Sequence, residues 1–243
     1  MNKLIRQAFT LIELLVVIAI VSILSGLIVV SMNGITQKAT IAKAQIFSNS
    51  LRNSLMANLI AEYRFEGNTN DSWGNNNGSW TGPLAPNSSA TYTSDCLSEQ
   101  CFSFDGVDDC ITLNSPIDLS NKEFTLSFWG KELGDSSGQR HAIGLTGSDV
   151  RLGRNGNALY FYSANGSFNL LSGFTDWNFW HFYVATLKTN DAKIYKDGKS
   201  IDSDSSANLL TAAISSFNIG KFSSYFWNGL IADVRIYNTA IPT

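Results

Sequence analysis

The 243-residue chain has only three cysteines, four prolines, three methionines and two histidines, and 15% of its residues are charged. So few prolines beside 19 glycines exclude a collagen-like or Pro-rich linker protein. A hydrophobic fraction of 44% excludes a disordered chain. A formal charge of −3 provides no basic surface for phosphates, so nucleic acid is not an expected partner. The two histidines, His141 and His181, have no neighbouring Ser or Asp in a triad pattern. The later acids lack the alternating spacing that would set two carboxylates across a sugar. An enzyme is therefore not expected.

What is present is uneven. From Leu14 to Val30 there are 17 residues without a charge, and from Phe9 the apolar stretch is 22 residues long. As a helix it would measure about 33 Å, enough for a bilayer core of about 30 Å. Lys3 and Arg6 precede it, and Glu13 sits inside its start. A carboxylate in lipid costs on the order of 2.5–3.5 kcal/mol, so such an acid asks for a function. Beyond it, Ile41, Ala44, Ser48, Leu51 and Leu55 recur at helical spacing. One helix is predicted from about Thr10 to Ala61, softened at Gly26 and Gly34, with a membrane-spanning part at about 9–30.

After position 61, short apolar runs alternate with Asn-Gly, Asp-Gly and Gly-Ser pairs, as hairpins require. Ten strands are predicted: 62–65, 101–104, 110–113, 124–129, 141–145, 159–163, 180–187, 192–196, 217–219 and 230–237. Many short strands imply an all-β sandwich or barrel over 62–243. Trp129 and Trp180 fall at core positions. Trp73, Trp80, Trp177 and Trp227 lie in polar loops, and Tyr225-Phe226-Trp227 is the densest aromatic group. Tyr225, Trp227 and Trp73 are the candidate carbohydrate contacts. Asp105, Asp108 and Asp109 form an acidic hairpin that reads as a solvated turn. Cys96 is expected to pair with Cys101 if the head lies in an oxidising compartment, with Cys101–Cys110 as the alternative across the hairpin.

Two resemblances organise these features. Ala8-Phe9-Thr10-Leu11-Ile12-Glu13-Leu14-Leu15-Val16-Val17 resembles the N-terminal methylation site of type IV pilins and pseudopilins. That resemblance implies a leader, 1–8, cut by a prepilin peptidase/methyltransferase between Ala8 and Phe9. Phe9 becomes the methylated terminus, and Glu13 neutralises the terminal amine of a neighbouring subunit during assembly. Ala8 departs from the family's usual Gly. The precursor is then expected in a bacterial inner membrane and the mature subunit in an extracellular pilus, among other pilin subunits. The second resemblance is to laminin-G-like domains of the concanavalin A-like jelly roll. It is carried by Asp71-Ser72-Trp73-Gly74-Asn75, Phe102-Ser103-Phe104-Asp105-Gly106, Phe124–Trp129, Ile194–Lys199 and Asn228–Asn238. It implies a sandwich head that takes glycans, and a calcium ion held by Asp71 with an acid of the last strand. Here Ala232 stands at the usual acidic place, with Asp233 beside it. A pseudopilin of a secretion or DNA-uptake system, and a membrane-tethered lectin-like adhesin that never polymerises, are the alternatives.

Overall fold

The computed structural model describes residues 10–82, 95–97, 101–134 and 138–242, without the side chains of 27–33. The chain divides into two compact units, Met1–Ala42 and Lys43–Thr243.

Helix α1 runs from Leu11 to Ser54 without interruption at Gly26 or Gly34. Thr10 caps it in a reciprocal box. The Glu13 N–H donates to Thr10 Oγ1 at 3.3 Å, and the Thr10 N–H donates to Glu13 Oε2 at 2.8 Å. In the first unit, Leu11, Ile12, Leu14 and Leu15 are between 55% and 82% exposed, and the large apolar residues continue exposed to Leu24. Counted over the described residues, no helix is long and apolar enough to cross a membrane. Positions 1–9, with Ala8 and Phe9, lie outside the described residues, as do the side chains of 27–30 in the expected span.

The helix ends seven residues earlier than the periodicity predicts. A single turn, Met56–Asn58, follows it, and then a strand begins. Asn53, Ser54 and Asn58 offer the backbone competing hydrogen bonds. Leu59, Ala61 and Tyr63 are then buried and paired with Tyr237, Ile236 and Val234, with a register shift between Leu59 and Ala61. The boundary between units also falls earlier than 61, so the last turns of α1 belong with the head.

Among the described residues the head contains sixteen strands. The first eight are β1 (Leu59–Tyr63), β2 (Gly78–Thr81), β3 (Phe102–Asp105), β4 (Cys110–Leu113), β5 (Phe124–Glu132), β6 (Gln139–Thr146), β7 (Val150–Asn155) and β8 (Ala158–Ser163). The rest are β9 (Phe168–Gly173), β10 (His181–Lys188), β11 (Asp191–Lys196), β12 (Lys199–Asp204), β13 (Ser216–Ile219), β14 (Lys221–Phe222), β15 (Tyr225–Phe226) and β16 (Asn228–Tyr237). One seven-stranded sheet has the order β1-β16-β5-β10-β11-β12, with β3 also on β16. The other runs β2-β4-β13-β6-β7-β8-β9. Every pairing is antiparallel, and the two inner faces enclose one apolar core that includes Phe128, Leu126, Ile236, Ile143, Leu152 and Phe161.

The outer face of the central strands β5 and β10 is buried as well. Thr125, Ser127, Trp129, Val184 and Thr186 are all under 5% exposed. The last turns of α1 cover part of that face: Ala44, Ser48, Leu51 and Leu55 are buried, and Phe47 meets Phe182 edge-on at 6.0 Å. Phe47 sits over Gly198, in the Asp197-Gly198 turn where both residues have positive φ. That turn is the primed hairpin type an Asp-Gly pair favours. A Cβ on Gly198 would come within 3.0 Å of Phe47, so a glycine both makes the turn and admits the helix. On the second sheet, the β14–β15 hairpin lies over Gly144, where a Cβ would be 2.3 Å from the Lys221 carbonyl oxygen.

Candidate functional site: the helix–head joint and the sandwich surface

The joint is built around one buried carboxylate. The register of β1 against β16 places Glu62 opposite Arg235. Glu62 is 1% exposed and accepts from Arg235 Nε at 2.9 Å and from Arg52 Nε at 2.7 Å. Arg52 comes from α1, so a strand pair and a helix are clamped through a single side chain. Arg64 adds a third contact at 3.1 Å but is half-exposed. Arg235 also donates from Nη1 to Ser48 Oγ at 3.0 Å and pairs with Asp233. Burial alone would raise the Glu62 carboxyl, but the Arg52 hydrogen bond and the charges of Arg235 and Arg64 outweigh it. The group ends at about 2.

Asp71 anchors the loop after β1. Its Oδ1 accepts the backbone N–H groups of Glu62 and Trp73 at 2.9 and 3.0 Å. Its Oδ2 accepts the backbone N–H and the side-chain amide of Asn76, both at 3.1 Å. Burial raises this carboxyl and the backbone donors lower it, with the net shift downward. Asp233 sits in a bulge of β16 between Ala232 and Arg235 with φ 51°, paired with the Arg235 cation. Burial pushes its carboxyl upward.

Asp71 is therefore held by four N–H donors that fill its oxygens. Asp233 meets the Arg235 guanidinium through Oδ2, and its Oδ1 is buried without a hydrogen-bond partner among the described residues. The bulge re-aims the last-strand acid, and Ala232 leaves nothing in its place. Elsewhere, Asp105, Asp108 and Asp109 each bring a carboxylate oxygen within 4.8 Å of the others, close enough to share a metal ion. Asp109 is buried, and burial, with Asp105 and Asp108 adding to it, raises its carboxyl despite the Asp105 N–H it accepts.

The three aromatic candidates separate. Trp227 is 0% exposed, edge-on to Phe128 at 6.0 Å, and belongs to the core. A tryptophan in a polar loop reads as exposed, but β15 turns directly into β16 and carries this ring between the sheets. Tyr225 is 44% exposed and packs on His141 of the second sheet. Trp73 is 43% exposed and lies under the Arg52 guanidinium, 5.8 Å from its carbon. They do not form one surface. Trp177 is buried, and Trp80 packs on Phe102 and Phe104.

Cys96 is bonded to Cys101, and Cys110 is a buried free thiol. The short loop makes the chain-entropy contribution small, about 2 kcal/mol. Reduction is expected to lower the unfolding free energy by about that amount, measured by denaturant unfolding with and without reductant. Both histidines are engaged structurally. Burial, then the nearby Arg151 charge, pushes His141 down to about 3, so it stays neutral. His181 holds Asp197 through Nδ1 at 2.6 Å and the Asp176 carbonyl through Nε2 at 3.1 Å.

Sequence reasoning missed the Arg52–Glu62–Arg235 clamp. Its signal was present as two opposite charges on paired strands, but the register that joins them was not readable locally.

A helix with an apolar, acid-bearing first turn, followed in the chain by an antiparallel jelly roll, defines the class: a pilin-type N-terminus with a β-sandwich head. The chain belongs to the concanavalin A-like lectin/glucanases superfamily, whose family model matches residues 105–243. The prokaryotic N-terminal methylation motif matches residues 5–29. No curated protein sequence matches the chain.

Among solved structures, domain 4 of an extracellular arabinanase from Geobacillus stearothermophilus, in complex with arabinotriose, is similar. The TM-score is 0.59 at 21% identity, over 76% of this chain and 94% of that one. The binding domain of botulinum neurotoxin DC in complex with SialylT has TM-score 0.56 and 15% identity over 76% of this chain. A Trypanosoma rangeli sialidase mutant with trans-sialidase activity has TM-score 0.54 and 16% identity over 76%. This chain spans 49% and 31% of those last two. At such identities the likeness is one of fold.

Proposed function

We propose that this chain is a structural subunit of a type IV pilus-like filament, polymerised through α1 and displaying its sandwich to the medium, where it contacts carbohydrate. The observation that carries the reading is the methylation motif on the same continuous helix that is clamped into the head. The precursor sits in a bacterial inner membrane through its apolar start until a prepilin peptidase removes 1–8. A helix apolar on all sides is stable only among lipids or other helices. In the isolated chain Glu13 closes the capping box with Thr10. In a filament the same carboxylate meets the terminal amine of Phe9 in a neighbour, a pair that a dry bundle tolerates only when both charges are present.

The solved neighbours crystallised with sugars support glycan contact by the head. The oxygen-only chemistry of Asp105, Asp108 and Asp109 suits a hard cation such as calcium, and in this reading that hairpin is where it is held. The reading is non-enzymatic, with His181 held between Asp197 and the Asp176 carbonyl and His141 Nε2 3.2 Å from Gln139 Oε1.

Glu13→Ala is expected to leave the chain in the membrane fraction at wild-type abundance while sheared filaments disappear from the surface fraction. Immunoblotting of both fractions reads the result. Wild-type filament yield from that variant rejects the assembly role. Recovery of the unmutated protein only from membranes supports the tethered, non-polymerising adhesin.

A further inference from the structure

Beside the joint, where α1 lies against β5 and β16, a pocket of about 230 Å³ is lined by Gln45, Asn49, Leu97, Trp129, Ala232 and Asp233 among others. It is smaller than the sites that take whole small molecules, about 300–1,000 Å³, and suits a single side chain. Trp129 and Ala232 are 3% and 4% exposed and form an apolar floor, while Gln45 and Asn49 stand exposed at the rim. Among the described residues Asp233 is the one charged group of the lining.

Asp233 has acceptor capacity to spare. The bulge of β16 takes it out of the strand's alternation. Its Oδ2 accepts from Arg235, its Oδ1 has no hydrogen-bond partner among the described residues, and the side chain is 25% exposed. A carboxylate has about four lone-pair sites, and one is used here. Arg235 divides its charge between this acid and Glu62, so the carboxylate can take a second cation. An apolar floor leading to a carboxylate matches a flexible aliphatic stem that ends in a compact ammonium, which is a lysine side chain.

Helix α1 carries that charge. Between positions 35 and 54 it has Lys38, Lys43 and Arg52 and no acid. Arg52 is held by Glu62, whereas Lys38 and Lys43 are exposed and pair with no acid among the described residues. The filament pairing selects between them. With the Phe9 amine of one copy at Glu13 of the next, two parallel helices are four residues, about 6 Å, out of step. Carried along α1, that offset brings Lys43 of one copy level with position 47 of the other, between the rim residues Gln45 and Asn49. Lys38 falls level with position 42, short of the pocket.

We propose that this pocket receives Lys43 of a neighbouring copy of the chain, whose ammonium pairs with Asp233 and fixes the stagger of adjacent subunits. This rests on the reading of the chain as a filament subunit.

The test uses cells that produce the full chain, with membrane and sheared surface fractions compared by immunoblotting. Lys43→Cys combined with Asn49→Cys puts thiols at two exposed positions of α1. These lie about 9 Å apart along the axis, beyond the Cα separation of about 4.4–6.8 Å that a disulfide spans, so no bond closes within one chain. Mild oxidation of such filaments is expected to give a ladder of covalent multimers on a non-reducing gel, and Lys38→Cys with Asn49→Cys to give none. Lys43→Glu is expected to lower filament yield about tenfold or more at unchanged membrane abundance, and Lys43→Arg to keep it. That comparison also decides the matter if the cysteine variant fails to assemble. Wild-type yield from Lys43→Glu, filaments of the Lys43 double variant without a ladder, or a ladder from the Lys38 pair instead, overturns the contact and leaves the filament reading standing. Absence of the unmutated chain from the surface fraction overturns the contact together with that reading.

Discussion

Replacing Glu62 with alanine is expected to destabilise the head by about 3–5 kcal/mol, the cost of breaking a buried pair from one side. The change leaves the Arg235 and Arg52 guanidiniums facing each other at the joint without the carboxylate they share, beside a helix whose Ser48 and Leu51 are buried there. Arg64→Ala, at the half-exposed contact, is expected to cost about 0–1 kcal/mol. Urea unfolding of the full chain in micelles, followed by near-ultraviolet circular dichroism, compares the two. A Glu62→Ala loss no larger than that of Arg64→Ala would show that the clamp does not hold the joint.

Acid gives the same contact a second readout. The folded Glu62 carboxyl titrates at about 2, below the ordinary value of about 4.3. The unfolded chain therefore takes up a proton at a higher pH than the folded one. The stabilisation is complete above about pH 4.5 and is lost as pH falls toward 2. Glu62→Gln is expected to flatten stability against pH across that window relative to the parent.

Trp227→Ala is expected to cost about 3–5 kcal/mol through the cavity it opens. The ring is wholly enclosed, edge-on to Phe128, and a Cβ on Gly130 would stand only 3.3 Å from its Cζ2. Tyr225→Ala, two residues earlier and 44% exposed, is expected to stay within about 0.5 kcal/mol. Thermal unfolding of the two variants separates a core ring from a surface one. Equal, small effects would contradict the burial of Trp227.

Periodicity carried the fold a long way. The stripe Ala44, Ser48, Leu51, Leu55 announced the face of α1 that packs on the head, because burial repeats at the helical period whatever it packs against. Cys110–Leu113 is a strand with the bounds that alternation and flanking turns indicate. Besides the short β2, β14 and β15, the missed strands are those whose composition hides them. β7 carries Gly153 and two arginines, β9 ends in Ser172-Gly173, and β12 is Lys-Ser-Ile-Asp-Ser-Asp, so neighbours in the sheet and not propensity hold them extended.

Site residues were less legible. Asp71 was readable as a loop acid, but whether its oxygens face a cation or a ring of N–H groups is decided by how the chain turns from Trp73 to Asn76. Asp233 depended on a bulge, and a single inserted residue changes which way a strand side chain points. Arg154 and Glu132, paired at 2.8 Å, lie more than twenty residues apart on different sheets. Their meeting is a property of how the layers stack.

The central claim is that a cleaved, methylated N-terminus starts a helix that builds a filament and carries this head outside the cell. Intact-terminus mass spectrometry of material sheared from the cell surface tests it in one experiment. The expected result is a chain beginning at Phe9 with one added methyl group on its amine. Surface material that still carries residues 1–8, or that begins beyond the apolar segment, would contradict it.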